Sequence, residues 1–294
     1  MICELCPRRC GVNREDVHGF CGVGSEIVVA RAALHMWEEP CISGKNGSGT
    51  IFFSGCNLGC VYCQNEEISH GCYGIPVTDD RFVEIMNDLI GQGAHNINLV
   101  TPSHYADVIA RILREHKPSV PVVWNSSGYE SIETLRQLDG LVDVYLPDMK
   151  YMSAELAAKY SRAADYPKVC TDAIREMLRQ TGKPKFDDNG MLVRGVLIRH
   201  LVLPGCVENT LDVLDFIDSF PQDMVLFGIM SQFTPTKALD KYPEINRRIT
   251  EEEYSRVKDY VYLLGLENGY MQDLSSASES YIPDFDLTGI ASSR

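Results

Sequence analysis

The stretch that most constrains this chain is residues 49–65, GTIFFSGCNLGCVYCQN. A run of β-branched and aromatic residues, which favours a buried strand, leads into a glycine-punctuated loop. There Cys56, Cys60 and Cys63 are spaced C-x3-C-x2-C. Three thiolates on so short a loop suit a [4Fe–4S] cluster, and four irons call for four ligands. Cys72 lies outside the tight loop, so one iron is expected to stay open to a small molecule. A fourth cysteine in register would instead have closed an electron-transfer site.

Seven of the eleven cysteines fall into two groups, Cys3/Cys6/Cys10/Cys21 and Cys56/Cys60/Cys63. In a reducing compartment such grouping points to metal rather than to cross-links. Residues 1–24 hold too few apolar side chains to fold by burial. Four convergent thiolates on one metal would supply the missing stability. Tetrahedral zinc is the first expectation for Cys3, Cys6, Cys10 and Cys21, a second iron–sulfur cluster the next, and free thiols the third.

The net charge of −14 argues against a nucleic-acid backbone or an anionic membrane as the main partner. No apolar run approaches the length of a membrane span, and the N-terminus lacks a signal peptide's hydrophobic core. The expectation is a cytoplasmic protein.

From Gly49 onward strands alternate with helices, the pattern of βα units around a parallel sheet. Strands are expected at 50–53, 97–100, 120–124, 142–146, 193–203 and 224–230, with another near 27–31 and a short one after 268. Helices are expected at 79–90, 106–115, 132–138, 154–160 and 172–180, then one capped by Asn209, and a last one opened by a Thr250/Glu253 capping box. Six strong units are too few for a closed eight-stranded barrel. The fold expected is α/β, a partial (β/α)6 barrel over 49–294 with a cysteine-rich extension over 1–48 and a C-terminal tail over the mouth. Polar residues follow the strands, and in parallel α/β sheets those ends face the ligand.

The loop C-x3-C-x2-C, with Tyr62 before its last cysteine, resembles the signature of radical S-adenosylmethionine (SAM) enzymes. The segments CELCPRRCGVNR, HMWEEPCISG, NINLVTPSHY, NSSGYE, DVYLPDMKY, RHLVLPG and SSASESYIPDFD extend that likeness along nearly the whole chain. They are similar to the group allied to pyruvate formate-lyase activating enzyme. The resemblance implies that Cys56, Cys60 and Cys63 bind a [4Fe–4S] cluster whose open iron chelates SAM. It implies reductive cleavage to a 5′-deoxyadenosyl radical, hydrogen abstraction from substrate, and an electron donor such as flavodoxin or ferredoxin.

Carried onto this sequence, Tyr62 would meet the adenine, Asn125 and Ser126 would lie near SAM, and Asp148 with Lys150 matches an Asp-x-Lys pair. Lys150, Arg199 and His200 are candidates for the methionine moiety; Arg suits a carboxylate through its bidentate fork. The family's usual Gly-Gly-Glu for the SAM amine is replaced by residues 101–104, Thr-Pro-Ser-His, which leaves Ser103 as the candidate.

Two reactions follow from the resemblance: fragmentation of a small molecule, as in queuine lyases, or activation of a glycyl-radical protein. If the flanking segments cover the mouth, the enclosed site suits the small molecule. A deazaguanine base would then need a facing carboxylate, from Glu38, Glu39 or Asp273, and a stacking ring, from Trp37, Tyr105 or Phe233. His35, His104 and Gln232 are candidates for the diol or for proton transfer.

Overall fold

A computed structural model describes residues 2–274 and 283–291. Its strands are β1 (Val28–His35), β2 (Ser48–Phe53), β3 (Ile75–Pro76), β4 (Ile97–Val100), β5 (Val122–Ser126), β6 (Val144–Pro147), β7 (Lys185–Phe186), β8 (Leu192–Leu201), β9 (Leu226–Met230) and β10 (Gly269–Met271). They form one sheet in the order β10-β9-β8-β6-β5-β4-β2-β1-β3, with β7 paired beside β8. Along the path from β2 to β10 every pairing is parallel, while β7 runs antiparallel to β8. The path does not close on itself, so the sheet is an open partial barrel.

The expected strands recur as β2, β4, β5, β6, β8 and β9, with β10 as the short seventh. Their near-continuous apolar runs reflect burial on both faces, as in β2 and β4, where every residue is buried. Helices cover the outer face. The helix Asp79–Gly91 is capped by Thr78, and Phe82, Ile85, Met86 and Leu89 point inward. The helix Glu251–Leu264 opens with the expected Thr250/Glu253 box.

Two local expectations are corrected. The helix expected at 172–180 starts earlier and runs Tyr166–Thr181, with Pro167 in its first turn, where its missing N–H costs nothing. Asn209 lies inside the helix Val207–Asp218. Its side chain accepts from the Met152 and Ser153 amides and donates to the Lys150 carbonyl, so it braces the loop after β6.

β1 runs antiparallel to β2, pairing His35 with Ser48. Segment 1–48 and the rest of the chain therefore share one sheet. Because β1 ends where β2 begins, residues 36–43 lie at the N-terminal ends of the parallel strands, away from the cysteine loop. There the short helix Pro40–Ser43 is buried at Cys41, Ile42 and Ser43, and Asn96 donates to the Ile42 carbonyl at 2.8 Å.

At the other end of the chain, Phe285 packs edge-to-face on Phe52 with centroids 5.5 Å apart. Arg31 holds Asp286 at 2.7 Å. Residues 275–282 of the expected tail motif lie outside the described residues. Among the described residues no helix is long and apolar enough to cross a membrane.

Candidate active site

After β2 the chain turns through Gly55 and Gly59, both at positive φ (84° and 66°), a conformation that suits glycine. Those turns bring Cys56, Cys60 and Cys63 to the wall of one cavity. Each sulfur accepts one hydrogen bond: from the Leu58 amide to Cys56 at 3.4 Å, from Ser161 Oγ to Cys60 at 3.1 Å, and from Ser69 Oγ to Cys63 at 3.2 Å. Burial pushes the Cys63 thiol up to about 12, helped by its neighbours Cys56 and Cys60, and raises Cys56 too.

The cavity holds about 650 Å³. The same cavity is lined by a charged network. Arg199, on β8, gives Nε to Asp148 Oδ1 at 3.0 Å, Nη1 to Glu38 Oε2 at 2.9 Å and Nη2 to Asn125 Oδ1 at 2.6 Å. Lys150 Nζ meets Asp148 Oδ2 at 2.7 Å. Glu38 Oε1 accepts from the Asn98 and Asn125 amides, both at 3.1 Å.

Burial raises Asp148, but Lys150 and Arg199 outweigh it and hold the carboxyl below its usual range. Glu39 is different. Burial pushes it up to about 7, with Arg199 pulling down and Glu38 pushing further up. Its Oε2 has no hydrogen-bond partner, and Oε1 sits where a Cβ on Gly228 would come within 2.9 Å.

The structure gathers many of the expected residues at this cavity: His35, Trp37, Glu38, Glu39, Cys56, Cys60, Tyr62, Cys63, Asn125, Asp148, Lys150, Arg199 and Gln232. Others it places elsewhere. His104 Nε2 pairs with the Ser54 carbonyl at 2.8 Å. His200 bridges the Met149 carbonyl and Thr210 Oγ1. Both imidazoles are buried and pushed down to about 4, so they are neutral packing groups.

Ser103 donates to Glu130 at 2.6 Å, and Tyr105 leans on Phe53 and Ser54 in the core. Phe233 is fully buried, edge-on to Tyr62 at 6.0 Å. Ser126 is turned from the cavity, where Ser127 stands instead, and Asp273 is exposed.

The N-terminal cysteines sit together, and nothing among the described residues supports zinc, the first expectation for them. Cys6 and Cys21 are buried, whereas Cys3 and Cys10 are partly exposed. Among the described residues no three His, Cys, Asp or Glu side chains converge on a single metal ion. Arginines hold this segment to the rest of the fold. Arg8 grips four carbonyls, and Arg14 binds the His104 and Gly24 carbonyls.

Sequence reasoning missed Ser69, Ser161, Asn98, Tyr270 and Gln272. Ser161 lies 101 residues from the sulfur it reaches, a separation no local pattern encodes. Tyr270 could have been found from strand pairing, since it stands opposite Gly228.

The donor set fits a [4Fe–4S] cluster. Three thiols face one cavity, each sulfur has a hydrogen-bond donor, and burial makes the Cys56 and Cys63 thiolates unfavourable without bound cations. The ligands of a cubane also stand further apart than those of a single ion, in keeping with the lack of a mononuclear convergence.

The model of the Radical SAM superfamily matches residues 50–217. Over 269 residues the chain is 34% identical to the uncharacterized protein MJ0674 of Methanocaldococcus jannaschii, a match covering 86% of this chain and 72% of that one. SuiB of Streptococcus suis bound to S-adenosylmethionine has a similar fold, at TM-score 0.53 and 14% identity over 76% of this chain. SuiB bound to its precursor peptide SuiA gives TM-score 0.50 at 12% identity, again over 76% of this chain. The match spans about half the length of those SuiB chains, 52% and 48%. A domain of pyruvate-formate lyase-activating enzyme from Bacteroides vulgatus is a looser likeness, at TM-score 0.39 and 15% identity over 58% of this chain and 91% of that domain.

Proposed function

The chain belongs to the radical SAM superfamily, and from that premise we propose that it acts on a small molecule held inside its barrel, as a carbon–nitrogen lyase on a modified purine of the queuine type. The observation that carries this reading is the cavity of about 650 Å³, with three cysteines on one wall and an unpartnered buried carboxylate on another. That volume suits a drug-sized ligand.

In this reading Cys56, Cys60 and Cys63 hold a [4Fe–4S] cluster that binds SAM. When bound, the pair supplies one electron and a 5′-deoxyadenosyl radical that takes a hydrogen atom from the substrate. The chain's own groups do the positioning. Lys150 is the cation for the SAM carboxylate, because Asp148 takes only one of its three donors and Cys60 and Cys63 lie within its field. Arg199 has all three nitrogens engaged, so it braces Asp148, Asn125 and Glu38 rather than grasping a ligand.

Glu38 is likewise occupied. Glu39 remains as the carboxylate that meets the base's N1–H and exocyclic amine. Of the three rings expected to stack on the base, Trp37 alone lines the cavity, where Phe52, Phe53, Tyr62 and Tyr270 also stand, and His35 and Gln232 stand nearby for the diol. Apolar neighbours such as Leu201, Ile229 and Met230 limit water around the reacting bond, which joins the amine nitrogen to the cyclopentene ring.

The test is anaerobic loading of the cluster, then SAM and reductant with and without queuine. The expected products are 5′-deoxyadenosine and, only with queuine, aminomethyl-deazaguanine. Cys60→Ala should abolish both. Failure to form 5′-deoxyadenosine under any condition would sink the radical reading. Its formation without the base, alongside a glycyl-radical signal on a partner protein, would move the assignment to an activating enzyme.

A further inference from the structure

The N-terminal run CPRRCGVNR forms no part of the cavity, yet one of its side chains makes four hydrogen bonds, two to the cysteine loop and two to the end of the helix Ala154–Ser161. Arg8 donates Nε to the Asn57 carbonyl at 2.9 Å and Nη2 to the Leu58 carbonyl at 3.0 Å. It also reaches the Ser161 carbonyl at 2.9 Å and the Arg162 carbonyl at 2.6 Å. Phe20, from the same segment, stacks on its guanidinium at 3.8 Å.

The identity of those acceptors is informative. Leu58 is the residue whose amide reaches Cys56, and Ser161 is the residue whose hydroxyl reaches Cys60. We propose that Arg8 is a positioning residue for the cluster: it fixes, by their carbonyls, the two residues that donate to the sulfurs of Cys56 and Cys60, and so tunes the cluster's reduction potential. The proposal rests on the loop holding a cluster.

The geometry favours Arg over any other side chain. Ser161 ends the helix Ala154–Ser161, and Arg162 follows it in a left-handed conformation, φ 51°, so its last carbonyls need a partner. Only a planar fork with five donors can meet two carbonyls of the helix end and two of the loop together. A cation at the carboxyl end of a helix is also favourable in itself. Clamped this way, the loop and the helix end cannot drift apart, and the Ser161 hydroxyl stays on Cys60. Tyr151 holds that hydroxyl from the other side at 2.8 Å and meets Tyr62 at 2.7 Å, so the clamp also bears on the ring next to Cys63.

Hydrogen bonds to cluster sulfurs, and positive charge nearby, stabilise the reduced form and raise the potential. Loosening Arg8 should therefore make the cluster harder to reduce. Lysine keeps the charge but cannot span four carbonyls.

The experiment compares wild type, Arg8→Lys, Ser161→Ala and the double variant, each loaded anaerobically, by redox titration followed by electron paramagnetic resonance. Hydrogen exchange is measured on the iron-free chains. Both single variants should titrate at more negative potential than wild type. The double variant should fall short of the sum, because Arg8→Lys already releases Ser161. In the iron-free chain, exchange at residues 57–62 should quicken roughly tenfold in Arg8→Lys, as expected for loss of about one net hydrogen bond's worth of local stability.

If Arg8→Lys takes up no cluster, Phe20→Leu, which removes the stacking ring but leaves the guanidinium, should shift the potential the same way by less. An unchanged potential in either variant, or shifts that add in full, overturns the proposal. A wild-type chain that assembles no cluster refutes the cluster reading instead, and the two failures are thereby told apart.

Discussion

Replacing Arg199 by methionine tests the charged wall of the cavity most directly. The side chains of Arg199, Glu38 and Asp148 are only 12%, 10% and 17% exposed, so their pairing takes place largely away from water. Methionine fills a similar volume but leaves Glu38 without its cation and Asp148 with Lys150 alone. Removing one member of such a buried pair costs about 3–5 kcal/mol, mostly the penalty of the charge left behind. In urea, at about 3 kcal/mol per molar for a chain of this size, the unfolding midpoint should fall by roughly 1–1.7 M.

The deficit should depend on pH. In the wild type Asp148 is held below the usual carboxylate value by Lys150 and Arg199 against the effect of burial. Its contribution to stability is therefore present above the unfolded value and lost as pH falls through the folded one. In the variant the orphaned carboxylates favour protonation, so the gap between the proteins should be widest near pH 8 and narrow toward pH 4. Arg199→Met with Glu38→Gln should recover most of the loss, because the stranded charge is gone. A deficit under about 1 kcal/mol, or one independent of pH, would refute the reasoning.

Glu39→Gln tests the other carboxylate, which burial lifts to about 7. A raised carboxyl contributes stability below the unfolded value and loses it as pH rises through the folded one. Wild type should therefore lose about 2–3 kcal/mol relative to the variant between pH 5 and pH 8, read from urea curves at each pH; parallel curves would reject the shift. Thr250→Ala removes one half of the capping box on the helix Glu251–Leu264 and should cost about 1 kcal/mol, with thermal unfolding as the check. A neutral result there would mean that packing of Tyr254, Val257 and Val261 alone fixes the helix start.

The strands were legible because each is a buried apolar run closed by polar residues, and the cysteine loop because metal chemistry sets its spacing. The side a residue faces was not. Arg199 and His200 read as one polar pair, yet neighbours on a strand point to opposite faces; Arg199 enters the cavity and His200 the packed layer behind. The same alternation exchanged Ser126 for Ser127. Ser103 and His104 follow β4 as a functional loop would, but a 3-10 turn at Ser103–Tyr105 buries all three. Glu130, which anchors Ser103 and the Trp124 indole at 3.1 Å, gave no signal, since one buried acid looks in sequence like any surface glutamate. Arg8 and Arg14 gave no signal either, since they hold the N-terminal segment through backbone carbonyls that no sequence displays.

The antiparallel pairing of β1 with β2 bears on which part of the chain is an autonomous folding unit. A chain beginning at Gly49 would keep every parallel strand and all three loop cysteines, yet β2 would be left as a bare edge, with unpaired backbone groups and the apolar residues Ile51, Phe52 and Phe53. Such an edge invites pairing with another copy. The same truncation would take away Glu38 and leave Arg199 facing a widened opening. For truncation or fusion, the part of the chain from Gly49 onward is therefore indivisible from the segment that precedes it.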